Sequence, residues 1–139
     1  MICIDASVVG RLISSDEQVE RLNSRYEEAR LAGENFLAPH LLSFEVASLL
    51  QKKRIRKILT SAEALGALHQ FQEMQIELVF FEGLVERSMA LAEAYGSQLT
   101  VYDASYLAVA EHLKADFWTA DRPLFDAVSV NFPKIHFIG

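Results

Sequence analysis

Ile2-Cys3-Ile4-Asp5-Ala6-Ser7-Val8-Val9 carries the pattern on which the fold turns. Three apolar residues, two of them β-branched, make a run short enough for a buried strand, and the run stops at an aspartate. Residues 6–13 are then compatible with a helix. The local order is strand, acid, helix.

Outward from this point the alternation recurs. Ser14-Ser15-Asp16 makes a cap-like break, and Val19, Leu22, Tyr26, Ala29 and Arg30 fall at helical spacing until Gly33 ends the pattern. Phe36-Leu37-Ala38 before Pro39 is a second short strand. A helix is expected over residues 40–54, with Leu42, Val46, Leu49 and Leu50 as its core face. Thr60-Ser61-Ala62-Glu63 has the form of a capping box and starts a helix to about residue 74 that carries Leu65, Leu68, His69 and Phe71. Residues 76–81 read as the clearest strand, 83–95 and 102–113 as helices, and Phe117-Trp118-Thr119 and 135–138 as the remaining strands. Strands alternating with helices imply βαβ units, so the expected fold is α/β: a three-layer α/β/α sandwich around a short, mostly parallel sheet. At 139 residues and 51% hydrophobic composition the chain supports one buried core and not two, which predicts a single domain over 1–139.

Composition bounds the function. Charged residues make up 23% and the mean hydropathy is +0.14, as in ordinary globular proteins. Apolar runs are short, such as residues 78–81, so no membrane span is expected. No signal-peptide pattern precedes Asp5, and Cys3 is the single cysteine, which rules out an internal disulfide; a cytoplasmic location is the expectation. The net charge of −6 weighs against a nucleic-acid partner on the long-range field alone. A divalent cation at a carboxylate cluster inverts that sign locally, so acidic nucleases stay allowed.

Four acids stand out. In open α/β sheets ligands bind at the carboxyl ends of the strands, and Asp5 follows the first strand while Asp121 lies two residues beyond Thr119 at the end of a late one. Glu45 borders the stripe of Leu42, Val46 and Leu49, where a charge is costly unless it is paired, hydrogen-bonded or metal-bound. Asp103 begins the helix over 102–113. Taken singly, Asp103 and Asp121 also suit helix starts, Asp5 a turn and Glu45 a partly exposed helix position. Taken together they make an oxygen-only set suited to Mg²⁺ or Mn²⁺, and several carboxylates sharing a small site require such a cation.

These segments resemble the PIN-domain proteins, in particular the VapC-type toxins of toxin–antitoxin pairs. The likeness rests on Ile2-Cys3-Ile4-Asp5-Ala6-Ser7, on Pro39-His40-Leu41-Leu42-Ser43-Phe44-Glu45-Val46-Ala47, on Leu99-Thr100-Val101-Tyr102-Asp103-Ala104-Ser105-Tyr106-Leu107-Ala108, and on Trp118-Thr119-Ala120-Asp121-Arg122-Pro123-Leu124. It implies Asp5, Glu45, Asp103 and Asp121 as an acidic, metal-binding catalytic quartet, with Ser7 and Thr119 as supporting hydroxyls; read by themselves, both equally suit capping positions. It also implies an Mg²⁺- or Mn²⁺-dependent endoribonuclease acting on RNA, a small antitoxin partner, and a homodimer with the helices between Val19 and Met74 as a candidate interface.

Lys52-Lys53-Arg54-Ile55-Arg56-Lys57 is the one basic concentration, and Lys52, Lys53 and Arg54 are candidate RNA contacts; cations late in a helix are equally expected from its dipole. Arg122 is a further candidate, with a salt bridge as the competing role. The four histidines show no ligand spacing, and Trp118 with the phenylalanines at 44, 71, 80, 81 and 117 fits a core. Two other classes stay open: a non-catalytic PIN-like interaction module, and an aspartyl-nucleophile phosphatase, which would normally have a second Asp where Ser7 stands.

Overall fold

The computed structural model describes residues 1–14 and 19–139, so most of the expected Ser14-Ser15-Asp16 break lies outside the described residues. Strands Ile2–Ile4 (β1), Phe36–Pro39 (β2), Glu77–Val79 (β3), Asp116–Thr119 (β4) and Ile135–Phe137 (β5) form a sheet in the order β3-β2-β1-β4-β5, with every neighbouring pair parallel. The chain steps from β1 outward to β3, then returns to lay β4 on the other side of β1. The strand order therefore reverses between β1 and β4, and the crevice at their carboxyl ends is the topological switch point where such sheets bind ligands.

Parallel strands need cover on both faces, and the helices Ala6–Leu12 (α1), Glu20–Leu31 (α2), Leu42–Ile55 (α3), Ser61–Glu73 (α4), Leu84–Ala94 (α5), Val101–Leu113 (α6) and Arg122–Val128 (α7) supply it. On one face Cys3 and Phe117 are register partners; the Tyr106 ring of α6 stacks on Phe117 at 6.2 Å, and the buried Cys3 thiol donates to the Tyr106 carbonyl. On the other face Phe36 meets Trp118 edge-on at 5.7 Å and Tyr26 of α2 at 4.5 Å. The three-layer α/β/α expectation is met.

Local chemistry sets the helix ends. Thr60 caps α4 in a reciprocal capping box with Glu63. Gly83, with φ +90°, occupies the left-handed region that a side chain would disfavour, just ahead of α5. Gly10 of α1 lets α3 come close, since a Cβ there would lie 2.9 Å from Leu49 Cδ1.

Three expectations are corrected. Strand β3 is shorter than residues 76–81, because it is a sheet edge that finds ladder partners only in Leu37, Ala38 and Pro39; Phe80 beyond it is exposed. In α4 Leu65 and His69 face solvent, and the packed stripe is Ala64, Ala67, Leu68 and Phe71. Phe44 and Phe80 are not core: Phe44 stands about 200° around α3 from Leu42 and is 82% exposed. Phe71, Phe117 and Trp118 are buried, and Phe81 stacks on His112 at 3.8 Å. Helix α7 is an element the sequence pattern did not delimit, although Asp121 as its cap and Pro123 in its first turn were available to read. Among the described residues no helix is long and apolar enough to cross a membrane.

Candidate active site

The end of β1 delivers Asp5 to the switch point in an extended conformation, and the same carboxylate caps α1. Its Oδ1 accepts the N–H groups of Ser7 at 3.0 Å and Val8 at 3.2 Å together with the Ser7 hydroxyl, and its Oδ2 accepts the Thr119 hydroxyl at 2.6 Å. Asp5 is 5% exposed. Burial pushes its carboxyl up to about 6, and the donors from Ser7, Thr119 and Val8 restrain that rise.

The end of β4 mirrors this arrangement. Thr119, fully buried, accepts the Asp121 N–H on its hydroxyl at 3.1 Å, while the Ser7 hydroxyl accepts the Ala120 N–H at 2.8 Å. The two hydroxyls lie 3.5 Å apart and fasten the ends of β1 and β4 to each other. Ser7 and Thr119 thus both position a carboxylate and satisfy backbone groups. Asp121 is exposed and caps α7, its Oδ1 accepting the Leu124 N–H at 3.0 Å.

The other two acids come from helices. Asp103 sits in the first turn of α6, half-buried, with its N–H held by the Thr100 hydroxyl at 3.0 Å. Glu45, on the first turn of α3 and half-buried, accepts the Tyr106 hydroxyl on Oε1 at 2.6 Å. Burial raises the Glu45 carboxyl, the Tyr106 hydroxyl opposes the rise, and the charge of Asp103 adds to it. Burial and the Glu45 charge drive the Tyr106 phenol far above its ordinary value, so it remains a donor. Tyr106 lies one turn after Asp103, a spacing that puts both on one side of α6. The sequence pattern assigned Tyr106 no role; its i+3 relation to Asp103 was the available signal.

The structure therefore joins Asp5 to Asp121 through Thr119, and Glu45 to α6 through Tyr106, with Asp103 near enough to act on Glu45. Ser7 and Glu45 share a cleft of about 430 Å³ between α1 and α3. Among the described residues no three acidic, His or Cys side chains stand close enough to enclose a metal ion. The acids are linked in two pairs, Asp5 with Asp121 through Thr119 and Glu45 with Asp103 across α3 and α6, and are not gathered in one closed cage. All-oxygen donors still suit a hard cation, and Mg²⁺ in particular is held by one or two carboxylates while keeping several waters.

Lys52, Lys53 and Arg56 line the same cleft as Ser7 and Glu45. Arg54 lies elsewhere: its Nε donates to Gln51 at 3.0 Å and it lines a separate cleft with Lys57 and Thr60. Arg122 pairs with Asp126 at 3.1 Å and lies over the rings of Phe125 and Phe137, which accords with its competing role as a salt bridge.

A family model described as PIN domain matches residues 2–130. The chain is similar to Ribonuclease VapC9 of Mycobacterium tuberculosis, with 32% identity over 133 residues covering 96% of this chain and 95% of the relative. Among solved structures it resembles PAE2754 from Pyrobaculum aerophilum, with a TM-score of 0.69 at 25% identity over 91% of this chain and 84% of that one. A toxin–antitoxin complex from Klebsiella pneumoniae shares the fold, with a TM-score of 0.61 at 18% identity over 98% and 96% of the two chains.

Proposed function

This chain belongs to the PIN-domain family, and on that footing we propose that it is a divalent-cation-dependent endoribonuclease and the toxin of a toxin–antitoxin pair. The observation that carries the reading is the placement of Asp5 and Asp121 at the switch point of the sheet, tied through Thr119, with Glu45 lining the adjoining cleft beside Ser7 and Asp103 close enough for its charge to act on Glu45. The ribonuclease relative supports RNA as the substrate.

Asp5 and Asp103 are the first choices as direct ligands of Mg²⁺ or Mn²⁺, with Asp121 and Glu45 as ligands or as partners through water. Once bound, such an ion lowers the pKa of a coordinated water and neutralises charge developing at the scissile phosphate. The chain's own contribution is positional. The Ser7 and Thr119 hydroxyls fix the plane of the Asp5 carboxylate, and the Tyr106 hydroxyl fixes Glu45. In hydrolysis the attacking water loses a proton, its oxygen bonds to phosphorus and the leaving ribose oxygen takes up a proton; Glu45, held by the Tyr106 hydroxyl at the cleft and with its carboxyl raised above the ordinary value by burial, is the residue suited to exchange protons with that water.

An aspartyl-nucleophile phosphatase is disfavoured, because Ser7 stands where that class would normally place a second acid. A purely non-catalytic module would have no need of acids at all four positions, Asp5, Glu45, Asp103 and Asp121. The exposed Leu31, Ile55, Ile58 and Leu65 on and beside α2, α3 and α4 support a homodimer through these helices.

The test is cleavage of defined RNAs in Mg²⁺, in Mn²⁺ and in EDTA, alongside Asp5→Asn and Asp103→Asn. Metal-dependent internal cleavage by the wild type and a loss of at least 100-fold in each variant are expected. Cleavage in EDTA, or equal cleavage by the variants, refutes the mechanism. Expression is expected to arrest growth, with relief by Asp5→Asn and by a co-expressed small antitoxin.

A further inference from the structure

Glu45, Ser48, Leu49, Lys52, Lys53 and Arg56 fall at i, i+3, i+4, i+7, i+8 and i+11 along α3 and its C-terminal cap, so they form one longitudinal stripe, and all six line the cleft that begins at Ser7. At 1.5 Å per residue the stripe runs roughly 16 Å away from Glu45.

Lys52, Lys53 and Arg56 have no carboxylate partner among the described residues, a state they share with most cations outside Arg30, Arg87 and Arg122; what sets the three apart is that they line one cleft together. In a chain with six more acids than bases, three cations against one lining acid, Glu45, make the field along this cleft opposite in sign to that of the whole molecule. The helix dipole accounts for cations near a C-terminus, but it does not select the face that leads to Glu45 and Ser7, and Arg54, on another face, is held by Gln51.

Resting on the ribonuclease reading above, we infer that Lys52, Lys53 and Arg56 form a phosphate track that holds the RNA backbone on one side of the scissile bond and leads it into the Ser7–Glu45 cleft. The track contacts phosphates and not bases, so it sets the register of the strand and the affinity without selecting a sequence.

Two measurements on Lys52→Gln/Lys53→Gln/Arg56→Gln test this. Binding of a fluorescent oligoribonucleotide in EDTA, read by anisotropy across a salt series, needs no catalysis. The triple variant is expected to bind roughly 10- to 100-fold more weakly at 0.1 M salt, with the slope of log K against log salt reduced by about 2, as three lost phosphate contacts on a single strand require. In cleavage assays KM is expected to rise by a similar factor while kcat stays within twofold. The Arg54→Gln/Lys57→Gln control, with two positive charges removed nearby, is expected to behave like the wild type in both. An unchanged Kd and salt slope in the triple variant, or an equal loss in the control, overturns the track, and a lowered melting temperature alone assigns the cations to the helix dipole. If the triple variant does not fold, Lys53→Gln with one-third of the slope change serves in its place. Failure of the wild type to cleave any RNA overturns the catalytic reading and leaves the binding result to decide the track.

Discussion

The Thr119 hydroxyl donates to Asp5 Oδ2 at 2.6 Å and in the same position accepts the Asp121 N–H at 3.1 Å, so one buried side chain fixes two acids that are 116 residues apart. Thr119→Val keeps the shape of the side chain and removes both bonds. A loss of about 1–3 kcal/mol is expected, since a buried carboxylate oxygen and an N–H lose their partner, together with a large fall in cleavage. Thr119→Ser, which retains the hydroxyl, is expected to recover most of both. Chemical denaturation and single-turnover cleavage of the pair check this.

Tyr106→Phe tests whether the hydroxyl that reaches Glu45 matters for chemistry or only for packing. The ring keeps its stacking on Phe117, and water can replace the donor at the half-buried Glu45, so the stability cost is expected near the low end, about 1 kcal/mol. Loss of the positioning bond is expected to lower kcat by 10- to 100-fold with KM little changed, and to shift the acidic limb of the pH–rate profile upward, because a donor that holds the Glu45 carboxyl down is gone.

Metal-free protein should lose stability as the pH rises through the range set by Asp5. The carboxyl goes from an ordinary 3.8 to about 6 on folding, so between those values the folded chain holds a proton that the unfolded chain has released. Stability then falls with increasing pH across this window, by about 3 kcal/mol for a shift of about two units. Thermal melts in EDTA from pH 4 to 7 are expected to show this fall in the wild type and not in Asp5→Asn. Saturating Mn²⁺ is expected to reverse it.

The close approach of α1 to α3 at Gly10 sets how far Glu45 stands from Ser7. Gly10→Ala meets only the tip of Leu49, and its gain in helix propensity offsets the displacement, so a change within about 1 kcal/mol is expected. Gly10→Val adds bulk that the tip cannot absorb and is expected to cost about 1–3 kcal/mol, with a further loss of cleavage as the helices separate. Equal activity of the two variants, measured well below their melting temperatures, would show that this spacing does not tune the site.

The order of elements was legible from the chain because hydrophobic period and turn chemistry are local: Ile2-Cys3-Ile4 before Asp5, the capping box at Thr60 and the apolar strands before Thr119 and after Lys134 all read directly as elements. So were the four acids as candidates: Asp5 and Asp121 at strand ends, Asp103 at a helix start, and Glu45 beside a buried stripe where a charge is costly. What only the tertiary structure decided depends on neighbours distant in sequence. Which face of α4 packs, the exposure of Phe44, and the short span of the edge strand β3 follow from what lies opposite them. The hydroxyl of Tyr106 acquires its role only because α6 packs beside α3, and the basic run on α3 divides into cleft-lining and outward-facing residues only once the helix is placed against α1. Sequence determined which residues carry charge and which segments are strand or helix. The parallel sheet, by reversing its order between β1 and β4, put Asp5 and Asp121 on one buried threonine, and the packing of α6 beside α3 put Tyr106 on Glu45.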